Sequence, residues 1–307
     1  MTTSSITVAP HRFAYGYYRQ AWWNWLIGTA FFCGGLGAGL FLISLATGQR
    51  LGMILGYLVV VLGKNGAHLM YLGRPVRFWR AAMRPDRSWI ARGIWASGLF
   101  ALSGGILLLP TILGPEGQAT ASLATAAKAV VIVSGLFIMF YDGFVMNHSA
   151  AIPFWNTQLL PLLILMYATL GGTTLTITLG ALQGEASRGT AWLERAEPYL
   201  LVANFLLLCL YLLRMSRLTP AAQETVRSWV KGRYARVFFG LIVVVGLIAT
   251  LMLSAVQQHW QARGLSLVIA GCELTGDFSL LMLMLKSGLF SPQTAPAFRG
   301  SRGGNLI

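Results

Sequence analysis

The amino-acid sequence predicts an all-α integral membrane protein, with eight transmembrane helices gathered into two four-helix bundles. Three observations carry that expectation. Of 307 residues, 56% are hydrophobic and 10% are charged, whereas a soluble domain carries about 25% charged residues and could not cover so much apolar surface. The apolar residues fall into eight runs, near 22–47, 51–72, 90–113, 124–146, 156–182, 197–214, 235–257 and 264–289. Each approaches or exceeds the roughly 20 residues that a helix needs to cross a bilayer core. Most charged residues stand at the ends of these runs.

Residues 1–21 are polar and mixed, and the first apolar run is long enough to span, so no cleavable signal peptide is expected. That run contains CGGLGAGLFL at 33–42, small residues that suit close helix packing. A nucleotide-binding reading of its glycines fails, because no strand precedes them. The second run carries Lys64 and His68, four apart and so on one helix face. The third is entered from a polar segment, 74–90, and the fourth ends with Tyr141 and Asp142. A turn at 147–155 then separates a bundle at 22–146 from one at 147–290. Pro153 and Pro161 flank the start of the fifth run, whose length implies tilt. The segment 183–196 leads into the sixth, with Glu185, Glu194 and Glu197 read as loop residues, and 215–234 leads into the seventh. The eighth carries Glu273 and Asp277, again four apart, before a flexible tail at 291–307.

Eight crossings put both termini on one side. That side receives Arg12, Arg19, Arg74, Arg77, Arg80, Arg84, Arg87, Arg92, Arg214, Arg217, Arg227, Lys231, Arg233, Arg236, Lys286, Arg299 and Arg302. The opposite side and the interior share Arg50, Lys64, Lys128, Arg188, Arg195 and Arg263. By the positive-inside rule the arginine-rich side and the termini are cytoplasmic, and the protein is a multi-pass protein of the inner membrane. The net charge of +14 therefore reflects topology, and no nucleic-acid partner is expected. Arg74, Arg77, Arg80, Arg84 and Arg87 are spaced as one helical stripe. Such a stripe lies along the interface and offers bidentate contacts to an acidic partner or to lipid phosphate.

Charged groups at membrane depth are costly and usually face a bundle interior. His68 and Asp142 fall within about one turn of the arginine side, Lys64 and Asp277 deeper, and Glu273 near the middle. Asn24 opens the first run at the arginine side. This gradient reads as a redox or proton site opening near one face. His68 and Asp142 would bond a polar headgroup, with Lys64, Glu273 and Asp277 as proton steps. The bland alternative is a buried pair that only fixes helix packing. Cys33, Cys209 and Cys272 all lie in apolar runs without a paired spacing, so no iron–sulfur cluster or structural zinc is expected in this protein. Among the four histidines, His11 and His259 flank the runs. His68 and His148 could approach each other, but His148 follows a helix end, so no haem is expected.

The stretch HLMYLGRPVRFWRAAMRPDRSWIARG (68–93) resembles the signature of the polysulfide-reductase membrane subunit family, the NrfD-like quinone-reactive anchors. YDGFVMNHSAAIPFWNTQLLPLLILMYATLGG (141–172) and CELTGDFSLLMLMLKSGLF (272–290) resemble its later landmarks. The resemblance implies an eight-helix subunit that carries no metal cofactor of its own and exchanges electrons between a quinone pool, menaquinone or ubiquinone, and an iron–sulfur partner subunit. A molybdopterin catalytic subunit usually completes such complexes. It also implies a quinone site in the first bundle, for which Asn24, His68, Tyr141 and Asp142 are the candidates. The competing functions are a proton-coupled or ion transporter and a structural anchor without quinone chemistry.

Overall fold

The computed structural model describes residues 17–114, 119–184, 190–260 and 263–291. His11, Arg12, Glu185, Arg188, Arg299 and Arg302 lie outside the described residues. So do residues 1–16 and the tail from 292.

Among the described residues nine helices of α or π type follow in order, besides a 3-10 helix at Pro75–Ala82: α1 (Trp25–Thr47), α2 (Arg50–Tyr71), α3 (Trp89–Leu113), α4 (Ala121–Asn147), α5 (Leu159–Gln183), α6 (Ala191–Met215), α7 (Pro220–Val230), α8 (Val237–Trp260) and α9 (Arg263–Ser287). All but α7 are long and apolar enough to cross a membrane. The eight expected spans are therefore all present. Helices suit this solvent because each backbone polar group is satisfied within its own segment. Two spans wind more loosely, with π-type turns at Val59–Lys64 in α2 and Val237–Ala249 in α8. No β-strand forms among the described residues, only a bridge between Arg19 and Leu289.

That bridge brings the two ends of the described region together. Gln20 N–H donates to Gly288 C=O at 2.9 Å, and Phe290 N–H to Tyr18 C=O at 2.8 Å. The Gln20 amide side chain reaches Leu285 C=O at 2.8 Å. The start of α1 and the end of α9 therefore share one side, as an even number of crossings requires.

Small residues set the spacing of the spans. A Cβ on Gly39 of α1 would run into the Ala168 carbonyl of α5, and one on Gly172 of α5 would run into the backbone of Gly39 and Leu40. At Gly37, α1 meets Gly56 and Val59 of α2 at somewhat longer range. One apolar core lies mainly among α1 to α4, built on Phe41, Val60, Phe100, Val131 and Ile138, and takes in Ala168 of α5. A second joins α5, α6, α8 and α9, with Leu163, Leu170, Tyr211, Phe238 and Met284, and takes in Phe31 of α1. Its arginine-side end is closed by the 148–158 turn and α7. Trp155 Nε1 donates to Met284 C=O at 2.9 Å, Trp229 Nε1 to Ser287 Oγ at 2.8 Å, and the Tyr211 hydroxyl to Phe154 C=O. From hydropathy alone α7 falls inside a polar connection. Its buried Ala222, Val226 and Trp229 make it an amphipathic lid.

Two sequence expectations change. The sixth span begins at Ala191, so Glu194 and Glu197 are helical rather than loop residues. Glu197 is buried, because Leu193, Glu197, Leu201, Asn204, Leu208, Tyr211 and Met215 share one inward stripe. The arginine stripe is not one α-helix either. Residues Pro75–Ala82 form a 3-10 helix with Arg74 as its cap, and Arg84 and Arg87 follow in a turn at Pro85 and Asp86. At three residues per turn, positions 74, 77 and 80 still line up. Pro85 lacks the N–H that a continuing helix would use.

Gly39→Val should strip the folded protein of its α1–α5 contact and lower its thermal midpoint in detergent by several degrees. Gly66→Ala, with open space around the new methyl, should leave the midpoint in place. Equal midpoints for the two variants would show that the close approach contributes nothing.

Candidate functional site

Helices α2 and α4 bury an ionisable cluster near the arginine side. Lys64 ends the π-turn of α2 and is 3% exposed. Its aliphatic stem lies along Gly34 of α1, where a Cβ would stand 3.0 Å from Lys64 Cδ. Its ammonium sits 5.3 Å from the centre of the Tyr141 ring. The Tyr141 ring in turn passes under Gly93 of α3, where a Cβ would collide with it. Asp142 is wholly buried and stands within Coulombic range of Lys64. Neither of its carboxylate oxygens has a hydrogen-bond partner. Among the described residues, the ion pairs within 4.0 Å are Arg84–Asp86, Arg87–Asp86 and Arg227–Glu224, all at exposed positions. Lys64 and Asp142 thus lie near each other without forming an ion pair within 4.0 Å.

His68 is half-buried one turn nearer the surface. Its Nδ1 lies 2.9 Å from Lys64 C=O. A carbonyl can only accept, so Nδ1 carries the proton and Nε2 keeps its lone pair. By the rise of 1.5 Å per residue, His68, Asp142 and Lys64 lie about 4, 8 and 10 Å from the arginine-side ends of their helices. Four predicted residues, Lys64, His68, Tyr141 and Asp142, therefore meet. Asn24 does not join them through any contact described. It is exposed and caps α1, its Oδ1 accepting from Leu26 N–H at 2.9 Å.

Glu273 and Asp277 belong to a separate cluster, between α5 and α9. Asp277 is 8% exposed and borders a cavity of about 40 Å³, shared with Phe31, Gly35, Tyr167 and Leu280. The buried Tyr167 hydroxyl there has no partner. That volume accommodates about two or three waters. One turn deeper, Thr174 Oγ1 lies 2.5 Å from Glu273 Oε2 and 2.7 Å from Glu197 Oε1. A hydroxyl has one hydrogen, so it can donate to only one of the two carboxyl groups. The other contact needs a hydrogen on the carboxyl, which makes the trio a proton-sharing unit. Sequence inspection missed Thr174 and Glu197. Extending the 3–4 spacing of α6 back past Pro198 would have found the glutamate.

The arginines of the 74–87 segment are all exposed, and between them Val76, Phe78, Trp79 and Met83 are exposed too. Arg92 is used differently. Its Nε and Nη2 donate to Pro85 and Asp86 C=O at 2.8 and 3.0 Å, and its guanidinium stacks 4.6 Å over Trp89. It holds the loop on α3. His148 caps the exposed end of α4. Among the described residues, no group of three or more His, Cys, Asp or Glu side chains could hold a metal ion.

Eight spans with ionisable groups gathered inside them define a multi-pass helical membrane protein with a polar interior. The protein belongs to the polysulphide reductase NrfD family, which it matches over residues 15–292. It is also similar to the C subunit of the anaerobic dimethyl sulfoxide reductase of Haemophilus influenzae, at 31% identity over 116 residues. That alignment covers 37% of this protein and spans 39% of the relative's length.

Two measurements check this geometry. Lys64→Met and Asp142→Leu should each destabilise the protein by about 3–5 kcal/mol, and the double variant should recover much of that loss. Strict additivity in denaturation would mean the two groups do not interact. Infrared difference spectra near neutral pH should contain a protonated-carboxyl stretch that Glu273→Gln or Glu197→Gln removes and Thr174→Val shifts. A spectrum unchanged by all three would rule out the shared proton.

Proposed function

We propose that this protein is the membrane subunit of a respiratory oxidoreductase complex, exchanging electrons between the quinone pool and an iron–sulfur partner subunit. The observation that carries the reading is the buried Lys64–Tyr141–Asp142 group beside His68, with acceptor atoms left unpartnered near one membrane face. Family membership and the likeness to a dimethyl sulfoxide reductase subunit support it.

Quinone and quinol differ by two electrons and two protons, so the protein must bind a carbonyl or hydroxyl oxygen and handle hydrogens. In quinol oxidation, His68 Nε2 accepts one hydroxyl hydrogen and the Asp142 carboxylate the other, while electrons pass to a cluster in the partner. In the reverse direction the same groups return the protons, and the Lys64 ammonium stabilises negative charge developing on the ring oxygen. Tyr141 bounds the headgroup from α4. Asn24, at the mouth, is a further headgroup contact in this proposal. Proton exchange runs inward through Lys64 to Asp277 and Glu273, continued by Thr174 and Glu197. The exposed arginines 74, 77, 80, 84 and 87, with Phe78 and Trp79 between them, form the docking surface for the acidic iron–sulfur subunit. A molybdopterin catalytic subunit lies beyond it. The arginine distribution supports an inner-membrane location with cytoplasmic termini.

His68→Ala and Asp142→Asn should reduce quinol-linked turnover by at least about a hundredfold, the loss typical of removing a general acid–base group. Complex assembly and dye-linked activity of the partner subunits should persist. Normal quinol-linked turnover in both variants would place the chemistry elsewhere.

A further inference from the structure

Between α3 and α4 runs a groove of about 530 Å³ that takes no part in the site described above. Its walls include Arg92, Trp95 and Leu99 from α3 and Val130, Val133 and Phe137 from α4. The spacing is one residue per turn on each helix, so the groove runs parallel to the helix axes over about 10–12 Å. Neither His68, Tyr141 nor Asp142 lines it. Yet Phe137 is shared. Its ring lies 6.0 Å from that of Tyr141, one turn further along the same face of α4, and 6.4 Å from Trp89. Beside it α3 carries Gly93, the position under which the Tyr141 ring passes. The groove and the buried cluster are therefore two compartments on either side of one aromatic wall.

We infer that this groove holds the first part of a quinone's isoprenoid tail, with the headgroup past Phe137 at Tyr141, Asp142 and His68; the inference rests on the quinone-site reading above. The walls are chemically suited to hydrocarbon. The Ser134 hydroxyl at its edge is already bonded to Val130 C=O at 2.7 Å. Arg92 is tied to the Pro85 and Asp86 carbonyls and to Trp89. Three of its five N–H groups remain, all at the arginine-side mouth, so a lipid phosphate could be held only there and the groove between the helices offers it no donor. A single apolar tail uses the whole length without stranding a polar atom. The direction fits as well. Tyr141 lies about 9 Å from the arginine-side end of α4 and Val130 about 25 Å, so a tail would run from the headgroup toward the bilayer middle. Headgroup exchange would then occur sideways from the membrane, between α3 and α4.

Two photoreactive naphthoquinones test this in membranes carrying the full-length protein and its complex. One carries the azide on a ring without a tail, the other a diazirine in the second isoprene unit of a tail. The tail probe should label Trp95, Leu99, Val130 or Val133, and excess menaquinone should compete. Val133→Trp fills the groove at a position 69% exposed, so folding should survive. It should cut tail labelling about tenfold while leaving ring labelling near Tyr141 unchanged. Tail labelling spread evenly over the lipid-facing helices overturns the inference, whatever the ring probe does. Competition by phospholipid but not by menaquinone makes the groove a lipid site and overturns it too. A ring probe that labels nothing near Tyr141, with the tail label still in the groove, refutes the headgroup site and leaves the groove assignment standing.

Discussion

In a bilayer, helices gain little from hiding apolar surface from one another, because lipid tails are equally apolar. Close backbone approach must supply the contact instead. The approach of α1 to α5 at Gly39, Ala168 and Gly172 is where this protein does so most tightly. The remaining faces of α1 are then allotted in turn. Gly37 meets α2, Gly34 leaves a channel for the Lys64 stem, and Gly28 lies against Met282 of α9. With α1 held this close, the ionisable residues of α2 and α4 fall on one flank and those of α9 on the other. A bulkier α1 would push both clusters apart and open them to lipid.

The two polar clusters solve the cost of burial in different ways. Lys64 and Asp142 are a base and an acid, and when both are ionised each lowers the cost of burying the other. The α5–α9 cluster holds carboxyl groups alone, so repulsion is relieved by sharing hydrogen through the Thr174 hydroxyl. A cluster with spare acceptor atoms is stable only if something else satisfies them. In the proposed function that something is, in turn, a headgroup and the protons it exchanges. The depths run from His68 near the arginine side to Glu197 near the other.

The arginine-side surface divides its cations between two roles. Arg92 secures the loop, bonding Pro85 and Asp86 and covering Trp89. That frees Arg74, Arg77, Arg80, Arg84 and Arg87 to remain in solvent beside Phe78 and Trp79. Cations with exposed aromatic neighbours are the composition expected of a contact surface. The α7 lid and the 148–158 turn close the same side over the second core.

Fold class, the number of spans, the pairing of the termini and the identity of most buried ionisable groups were all legible in the order of the residues. Hydropathy and charge are summed over 20 residues, and no tertiary contact is needed to read them. Lys64 and His68 could be set on one face from their spacing, as could Glu273 and Asp277. Spacing along a polypeptide does not convey which helices become neighbours. Folding in three dimensions joined Lys64 to Tyr141 and Asp142, moved Asn24 into a capping role, and brought Thr174 between Glu273 and Glu197. The last case shows the reason most plainly. Charge and a proline masked the start of α6, so Glu197 read as a loop residue, and packing against α5 and α8 drew it inside. Burial is decided by neighbours, and neighbours are decided by where glycine lets two backbones meet.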